Sequence, residues 1–288
     1  MNELKRGREG WRRVIWRFSR DRIALASLVF LFCIITVSLL APVLGLPDPT
    51  RIDLTKRLSP PGTPGHPLGT DEFGRDCLSR LVWGGRVSIS VGFFAVLAAM
   101  AAGVLIGVFS GFMGGWWDLL IMRFIDVLMA FPYILLAIAI IAALGPGLVN
   151  TMVALAIADI PYYARIARGS VLAIMEKEFV QAARALGASP TRVLFRHVML
   201  NMFAPVIVAA TLDVGWMIMA GAGMSFLGLG AQPPTAEWGL MLSYGSKYLR
   251  TAPHLSVFPG LVISSVVLAL NFVGDGLRDA LDPKIQRY

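Results

Sequence analysis

Five or six long apolar segments, separated by polar stretches, constrain this chain more than any other feature of its sequence. A helix needs about 20 mostly apolar residues to cross the hydrocarbon core of a bilayer. Inside lipid the backbone N–H and C=O groups must bond to one another, which a helix achieves within one segment. The pattern therefore predicts an all-α, polytopic membrane bundle with six transmembrane helices. The predicted spans are Ile23–Leu44, Ser88–Phe109, Leu119–Leu144, Leu148–Tyr163, Met199–Met219 and Val257–Gly274.

Composition and charge agree with this class. The 288 residues are 56% apolar and 15% charged, which excludes an ordinary soluble enzyme. The net charge of +8 first suggests nucleic acid, but the cations concentrate before the first span, between the fourth and fifth spans, and in the C-terminal tail. With six spans these stretches share one side, which the positive-inside rule makes cytoplasmic. We expect a multi-pass protein of the cell inner (plasma) membrane with cytoplasmic termini and no nucleic-acid partner.

Polar segments divide the chain into four parts. Residues 1–22 have a helical apolar face and many arginines, which predicts a basic interfacial helix bound to membrane lipid on the cytoplasmic leaflet. A disordered basic arm is the alternative. Residues 23–44 form the first transmembrane helix, residues 45–86 a Pro/Gly-rich extracytoplasmic loop, and residues 87–288 the main transmembrane domain. The loop 45–86 carries six Lys and Arg, which makes it a mild exception to the positive-inside rule.

Three glycines recur every four residues along one face of the second span. They are Gly103, Gly107 and Gly111. Small residues at this spacing let two helices approach closely in a membrane. Two interpretations stay open: a seam against a second membrane subunit, or packing within this chain.

Two acidic residues, Asp159 and Asp213, lie inside apolar spans. A carboxylate at mid-bilayer is costly, so each is expected to face the bundle interior, water or a partner. We predict that both belong to the translocation pathway; the alternative is that they hydrogen-bond neighbouring helices. Asp118, Arg123 and Asp126 cluster at the inner end of the third span and predict an interfacial ion network.

The polar bridge between the fourth and fifth spans, about residues 169–198, has the most distinctive local pattern. Gly187 suits the left-handed position that closes a helix. Ser189 can then N-cap a second helix whose first residue, Pro190, needs no N–H donor. The bridge therefore predicts a helix–turn–helix finger at the cytoplasmic face, which another protein grips.

The sequence contains no catalytic motif and no phosphate-binding loop of the form G-x-x-x-x-G-K-[ST]. The cysteines, Cys33 in the first span and Cys77 in the outer loop, are predicted to be unpaired, and they offer no metal site. We therefore expect no enzymatic activity, no catalytic residue, no metal ligand and no cofactor bound by this chain. If transport needs ATP, another polypeptide binds it.

The bridge also carries the run Gln181–Ala182–Ala183–x–x–x–Gly187, followed by His197–Val198–Met199–Leu200. This pattern resembles the E-A-A-x-x-x-G loop and I-x-L-P sequence of the membrane subunits of ABC importers. Two positions depart from it: glutamine replaces the first glutamate, and Leu200 stands where proline is usual.

Three further stretches resemble the "C" permeases of the dipeptide/oligopeptide/nickel group, over about residues 15 to 285. Relatives in that group often carry a glutamate just before the S-F-L-G-L-G run, where this chain has Gly221, and Asp213 is a candidate to replace it. The stretches are His66–Pro67–Leu68–Gly69–Thr70–Asp71 with Gly74–Arg75–Asp76, Ser225–Phe226–Leu227–Gly228–Leu229–Gly230 with Pro233–Pro234 and Trp238–Gly239, and Gly274–Asp275–Gly276–Leu277–Arg278–Asp279–Ala280–Leu281–Asp282–Pro283.

The resemblance implies a type I ABC importer fold and a set of partners. These are a second homologous permease forming a heterodimer, two ABC ATPase subunits that hold ATP and Mg, and an extracytoplasmic substrate-binding protein. The finger would be the coupling helix–turn–helix, with Phe179, Ala182, Ala183 and Leu186 as its apolar docking stripe. The residues assigned to ATPase coupling are Glu178, Gln181, Ala182, Ala183, Gly187, Ala188, Ser189 and Pro190.

The expected substrates are di- or oligopeptides. Nickel or a metal chelate is the alternative for the same role. A secondary transporter driven by protons through Asp159 and Asp213 is a distant alternative.

Overall fold

The computed structural model describes residues 14–281, which contain helices and no β-strand. Residues 14–18 are helical, whereas residues 1–13 of the predicted interfacial helix and the tail cations Lys284 and Arg287 lie outside the described part. The longer helices are α1 (Arg22–Leu39), α2 (Cys77–Met113), α3 (Gly115–Met129), α4 (Tyr133–Leu144), α5 (Leu148–Met175), α6 (Glu178–Ala185), α7 (Pro190–Phe226), α8 (Trp238–Ser246) and α9 (His254–Leu281).

The predicted helical class is confirmed, but the count of six spans is not. Four helices are long and apolar enough to cross a membrane, namely α1, α2, α7 and α9, and the bent pair α3–α4 makes a fifth if it is one span. Helix α5 has 28 residues and is long enough, but Asp159, Arg165 and Arg168 interrupt its apolar sequence. The fourth predicted span is therefore a long helix of mixed polarity.

The third predicted span is broken. Helices α3 and α4 meet at 89° across a short break that contains Pro132. Proline has no N–H for the helical ladder and pushes the preceding residue away from helical backbone angles. Helix α3 therefore closes at Ala130, whose N–H bonds the Asp126 carbonyl at 3.0 Å, and α4 starts afresh.

Two other predicted spans are shorter than the helices that contain them. Helix α2 begins at Cys77, inside the predicted loop 45–86, because the Asp76 carboxylate accepts the Ser79 N–H at 2.7 Å and caps it. Helix α5 continues past Tyr163 to Met175, since its arginines bond to acids of α3. Apolar runs therefore underestimate the length of helices whose ends are polar but paired.

The glycine face of α2 packs within this chain. A Cβ at Gly103 would lie 2.6 Å from the Ile160 carbonyl oxygen, and one at Gly107 would overlap the Ala164 carbonyl oxygen. A Cβ at Gly111 would approach Val171 to 3.2 Å. All three neighbours are on α5, so the structure selects the intrachain packing and not the seam against a second subunit.

The helices alternate in direction between two ends of the bundle. Gly85, near the start of α2, lies against Ser38 at the end of α1, and Gly111, near the end of α2, lies against Val171 of α5. We call one end the loop end and the other the finger end. The loop end holds residues 40–76, 145–147 and 227–253, and the finger end holds residues 176–189.

A buried ionic cluster fixes the loop end. The Arg75 guanidinium donates to Asp71 at 2.6 Å, and Arg80 lies 3.5 Å from the same carboxylate. Arg80 also donates to the carbonyls of Pro49 and Thr235, so it links the first loop to the segment before α8. Burial raises the pKa of Glu72, the fourth member of this cluster.

Helix α8 is locked onto α2 through Trp238 and Glu237. The Trp238 indole is buried and donates to the Leu81 carbonyl at 2.8 Å. The Glu237 carboxylate accepts the Ser88 hydroxyl at 2.8 Å and the Leu240 N–H at 2.7 Å, which caps α8. This arrangement closes the loop end over the start of α2.

Candidate functional site

Helix α6 and the start of α7 form the predicted finger. Gly187 has φ +83°, in the left-handed region. Its N–H donates to the Arg184 carbonyl at 2.9 Å, and the Ala188 N–H donates to the Ala183 carbonyl at 3.0 Å. These two bonds make a Schellman motif, which a glycine accommodates with little strain. The local conformation expected from the sequence is present.

The second half of the finger runs directly into the bundle. The Ser189 hydroxyl accepts the Arg192 N–H at 3.3 Å, and Pro190 is the first helical residue, as the sequence predicts. Helix α7 is continuous from Pro190 to Phe226, with a π-helical stretch at Val193–Val198. Leu200 lies within this helix and supplies the backbone N–H that a proline would lack.

One face of the finger is anchored and the other is exposed. Val180, Val193 and Val198 are buried in the main apolar core. On the outside, Leu186 is 88% exposed and Phe179 is 42% exposed. The finger therefore presents apolar side chains to solvent both at its turn, through Leu186, and at the start of α6, through Phe179.

The residues assigned to coupling share this exposed surface. Ala183 and Ala188 are half-buried, because they belong to the turn that closes α6. The others are exposed to solvent: Glu178, Gln181, Ala182, Gly187, Ser189 and Pro190.

Two ion pairs attach the helix that leads into the finger to the broken span. Arg168 of α5 donates twice to Asp118 of α3, at 2.6 Å for each bond. Arg165 donates to Asp126 at 2.6 Å. The predicted ion network is thus formed with α5, while Arg123 makes no ion pair with any residue in the described range. Bidentate arginine–carboxylate geometry fixes direction as well as distance.

Asp159 of α5 and Asp213 of α7 meet inside the bundle. The Tyr163 hydroxyl of α5 donates to the Asp213 carboxylate of α7 at 2.8 Å. Asp159 and Asp213 are only 7% and 8% exposed in this single chain, and the Tyr163–Asp213 bond joins the two helices. The role of the two acids in a translocation pathway stays a prediction.

Sequence reasoning missed Tyr163. It follows Asp159 by four positions and therefore shares its helix face, which was the available signal. The structure also explains Gly221, where relatives often carry glutamate. A Cβ at Gly221 would lie 2.7 Å from Val91 of α2, so this closed contact has no room for a longer side chain.

We expect Tyr163→Phe to lower the free energy of unfolding by about 1–3 kcal/mol, because a buried carboxyl group loses its donor. The measurement is the melting temperature of the purified chain in detergent. Tyr162→Phe is the matched control, since Tyr162 is half-exposed and its hydroxyl makes no hydrogen bond within residues 14–281. Equal melting of the two variants would contradict a role for the Tyr163 bond.

Helices α5 and α7 are joined at three levels. The finger connects them at one end, and the Tyr163–Asp213 hydrogen bond connects them in the middle. At the loop end, the Leu229 carbonyl accepts the Gly147 N–H at 3.0 Å and the Thr151 hydroxyl at 3.2 Å. We call α5, the finger and α7 the coupled hairpin.

The described residues hold no group of three or more His, Cys, Asp or Glu side chains that would suit a metal ion. Cys33 is exposed and Cys77 is buried, and both are free thiols. The prediction that the cysteines are unpaired is confirmed.

Comparison of the sequence with known families gives two matches. Residues 103–287 match the family described as binding-protein-dependent transport system inner membrane component. Residues 10–61 match the N-terminal TM domain of oligopeptide transport permease C.

Similar proteins agree with these matches. The dipeptide transport system permease protein DppC of Alkalihalophilus pseudofirmus is 44% identical, with 96% of this chain and 90% of that protein covered. The glutathione transport system permease protein GsiD of Pectobacterium atrosepticum is 42% identical, with 97% and 93% covered.

Solved structures share the fold at low identity. A chain of the inward-facing MetNI methionine ABC transporter matches with a TM-score of 0.59 at 19% identity, covering 71% of this chain and 98% of that chain. A chain of an amino acid ABC transporter crystallised with histidines matches with a TM-score of 0.56 at 16% identity, covering 71% and 95%.

Proposed function

Since the chain belongs to the family of binding-protein-dependent transport system inner membrane components, we propose that it forms half of the pathway of an ATP-driven peptide importer. The chain is an integral inner-membrane permease subunit of an ABC importer. This identity replaces the alternative of a proton-coupled secondary transporter. It leaves the driving step to partner subunits.

The observation that carries the proposal is the geometry of the finger. An exposed Leu186 stands at its tip, while its inner face is buried among Val180, Val193 and Val198. We infer that the finger docks into a cleft of a cytoplasmic ATPase subunit, which holds the ATP and Mg. Closure of two such ATPases would rock the coupled hairpin between two states.

The same proposal fixes the partners and the sidedness. The finger end would lie in the cytoplasm with both termini, and the loop end would face outward. A second homologous permease would complete the pathway, and an extracytoplasmic binding protein would deliver substrate to the loop end. Asp159 and Asp213 would face substrate only in a state that opens the hairpin.

Peptides are the proposed substrate. Two relatives above 40% identity are named for transport of dipeptides and of glutathione, both short peptides with a free ammonium and carboxylate. Nickel or a metal chelate stays an alternative that transport assays with the assembled complex would separate.

Leu186→Asp tests coupling. An aspartate at the tip would carry its charge into the apolar ATPase cleft, where desolvation is unfavourable. We expect substrate-stimulated ATPase activity of the assembled complex to fall about tenfold or more, which corresponds to 1.4 kcal/mol or more in coupling free energy. The melting temperature is expected to stay unchanged because Leu186 contacts solvent.

The matched control is Leu186→Met, which keeps an uncharged apolar side chain of similar size at the tip. It is expected to leave stimulation intact. Wild-type stimulation in the Leu186→Asp complex would refute the docking of the finger tip.

A further inference from the structure

Four exposed cations gather on the loop end around Tyr248. The Arg57 guanidinium donates to the Tyr248 hydroxyl at 3.4 Å, and Lys56 precedes Arg57 in the chain. Lys247 and Arg250 flank the same tyrosine. We call Lys56, Arg57, Lys247 and Arg250 the basic patch.

The patch rests on a packed base. Tyr248 and Leu58 pack against a small buried cluster of Cys77, Ala252 and Leu255. Lys247 also lies over the Tyr244 ring, 5.2 Å from its centroid. Arg57 and Lys247 therefore each contact a tyrosine, which lowers the conformational entropy that these two side chains lose on binding.

The acids of the same loop do not neutralise the patch. Asp71, Glu72 and Asp76 are all buried. Asp71 pairs with Arg75, and Asp76 caps α2 and bonds His66 at 2.9 Å. In the part of the chain that the structure describes, none of the four patch cations forms an ion pair with a carboxylate.

Asp53 is a partly exposed acid, three positions before Lys56 in the chain. The Thr55 hydroxyl is the main cause that lowers the pKa of Asp53, followed by smaller contributions that include the charges of Lys56 and Arg51. Asp53 is thus shared with a cation outside the patch. The four patch cations keep a net positive charge.

The membrane topology does not explain why these cations lie at the loop end. The positive-inside rule disfavours Lys and Arg in short outer loops, and this loop departs from it. In the structure, Arg75 and Arg80 of this loop are buried beside Asp71, whereas Lys56 and Arg57 stay in solvent. Such a one-signed surface attracts an oppositely charged partner over a Debye length of about 8 Å.

We propose that the basic patch docks an acidic surface of the soluble substrate-binding protein. This inference rests on the proposed function, which places the loop end outside the cell. An exposed set of cations without carboxylate partners fits a water-soluble acidic protein that must bind quickly and leave again. Charges at the rim of such a contact mainly set the association rate and its salt dependence.

The test is the double charge reversal Lys56→Glu with Arg250→Glu, which keeps the Arg57–Tyr248 bond. The assembled complex is placed in phosphatidylcholine nanodiscs, and its own purified binding protein, loaded with substrate, is titrated while ATPase activity is followed. We expect the half-maximal concentration of binding protein to rise about tenfold at low salt. The maximal rate is expected to stay unchanged.

Arg51→Glu is the matched control, because Arg51 is exposed on the same loop but lies beside Asp48 and Asp53. It is expected to shift the half-maximal concentration much less. Wild-type and double-reversal complexes with the same half-maximal concentration would overturn the proposal. An effect seen only in vesicles that contain phosphatidylglycerol would also overturn it, since the patch would then bind lipid headgroups.

The wild-type complex tests the proposed function separately from the patch proposal. If no binding protein stimulates the wild-type complex, the proposed function itself fails and the patch proposal fails with it. If the wild type is stimulated and the reversal has no effect, only the patch proposal fails.

Discussion

Gly107→Leu is expected to prevent the chain from accumulating in a folded form. A Cβ at this position would overlap the Ala164 carbonyl oxygen and lie 2.9 Å from the Ala167 Cβ. The obstacle is backbone on the facing helix, so no rotamer change relieves it. We expect a loss above about 4 kcal/mol, in the range reserved for severe core disruption. The measurement is the yield of assembled complex on size-exclusion chromatography and its melting temperature.

Gly169→Ala is the matched control for this prediction. Gly169 lies on α5, the helix that packs against Gly107, but a Cβ there would meet nothing within 4 Å. Alanine is favoured over glycine in a helix by about 1 kcal/mol. This variant is therefore expected to match or exceed the wild type in stability. A normal yield of Gly107→Leu would disprove close packing of α2 on α5.

Trp238→Ala is expected to destabilise the protein by about 3–5 kcal/mol, the usual cost of truncating a buried aromatic residue. The indole contacts Gly84 and Gly85 of α2, whose positions without side chains leave room for the ring. Its loss would leave a cavity and remove the bond to the Leu81 carbonyl. The melting temperature of the purified complex measures the effect.

Trp238→Phe separates these two contributions. Phenylalanine keeps most of the apolar contact but lacks the N–H donor, so we expect a loss of about 1 kcal/mol. If the alanine and phenylalanine variants have the same melting temperature, the ring does not fill the space as described. Binding-protein stimulation of the surviving phenylalanine complex is expected to be normal, since Trp238 lies outside the finger and the basic patch.

The finger could be predicted in detail because its geometry is local. Gly187, Ser189 and Pro190 each impose a backbone or hydrogen-bond requirement within a few residues, whatever surrounds them. The structure has the left-handed glycine and the serine cap at those positions. Their role in coupling to an ATPase stays a proposal.

The helix ends were harder because they depend on contacts far along the chain. Beyond its apolar part, α5 contains Arg168, which pairs with Asp118, fifty positions earlier in the chain. Pro132 indicates that the end of the helix around it is uncertain, but the 89° bend depends on where α3 and α4 pack. Sequence periodicity contains no information on such partners.

The sequence also leaves open which helix packs against the glycine face of α2. Spacing indicates that another helix approaches closely, but it does not say which one. The geometry at Gly103 and Gly107 identifies α5. The sequence alone also could not show that Asp159 and Asp213 are buried within one chain. Acidic residues at these positions fit a translocation pathway as well as a contact between two helices.

The three joints of the coupled hairpin restrict how the molecule can change shape. Because α5 and α7 are fastened near both extremities as well as midway, parting them costs several bonds at once. A tilt of the whole frame breaks none of them. Because α2 packs closely on α5 through its glycine face, we expect α2 to move with this frame and the sharp corner between α3 and α4 to be the place where the chain bends. A force applied to the finger would therefore move the loop end of this frame in the same rigid-body tilt.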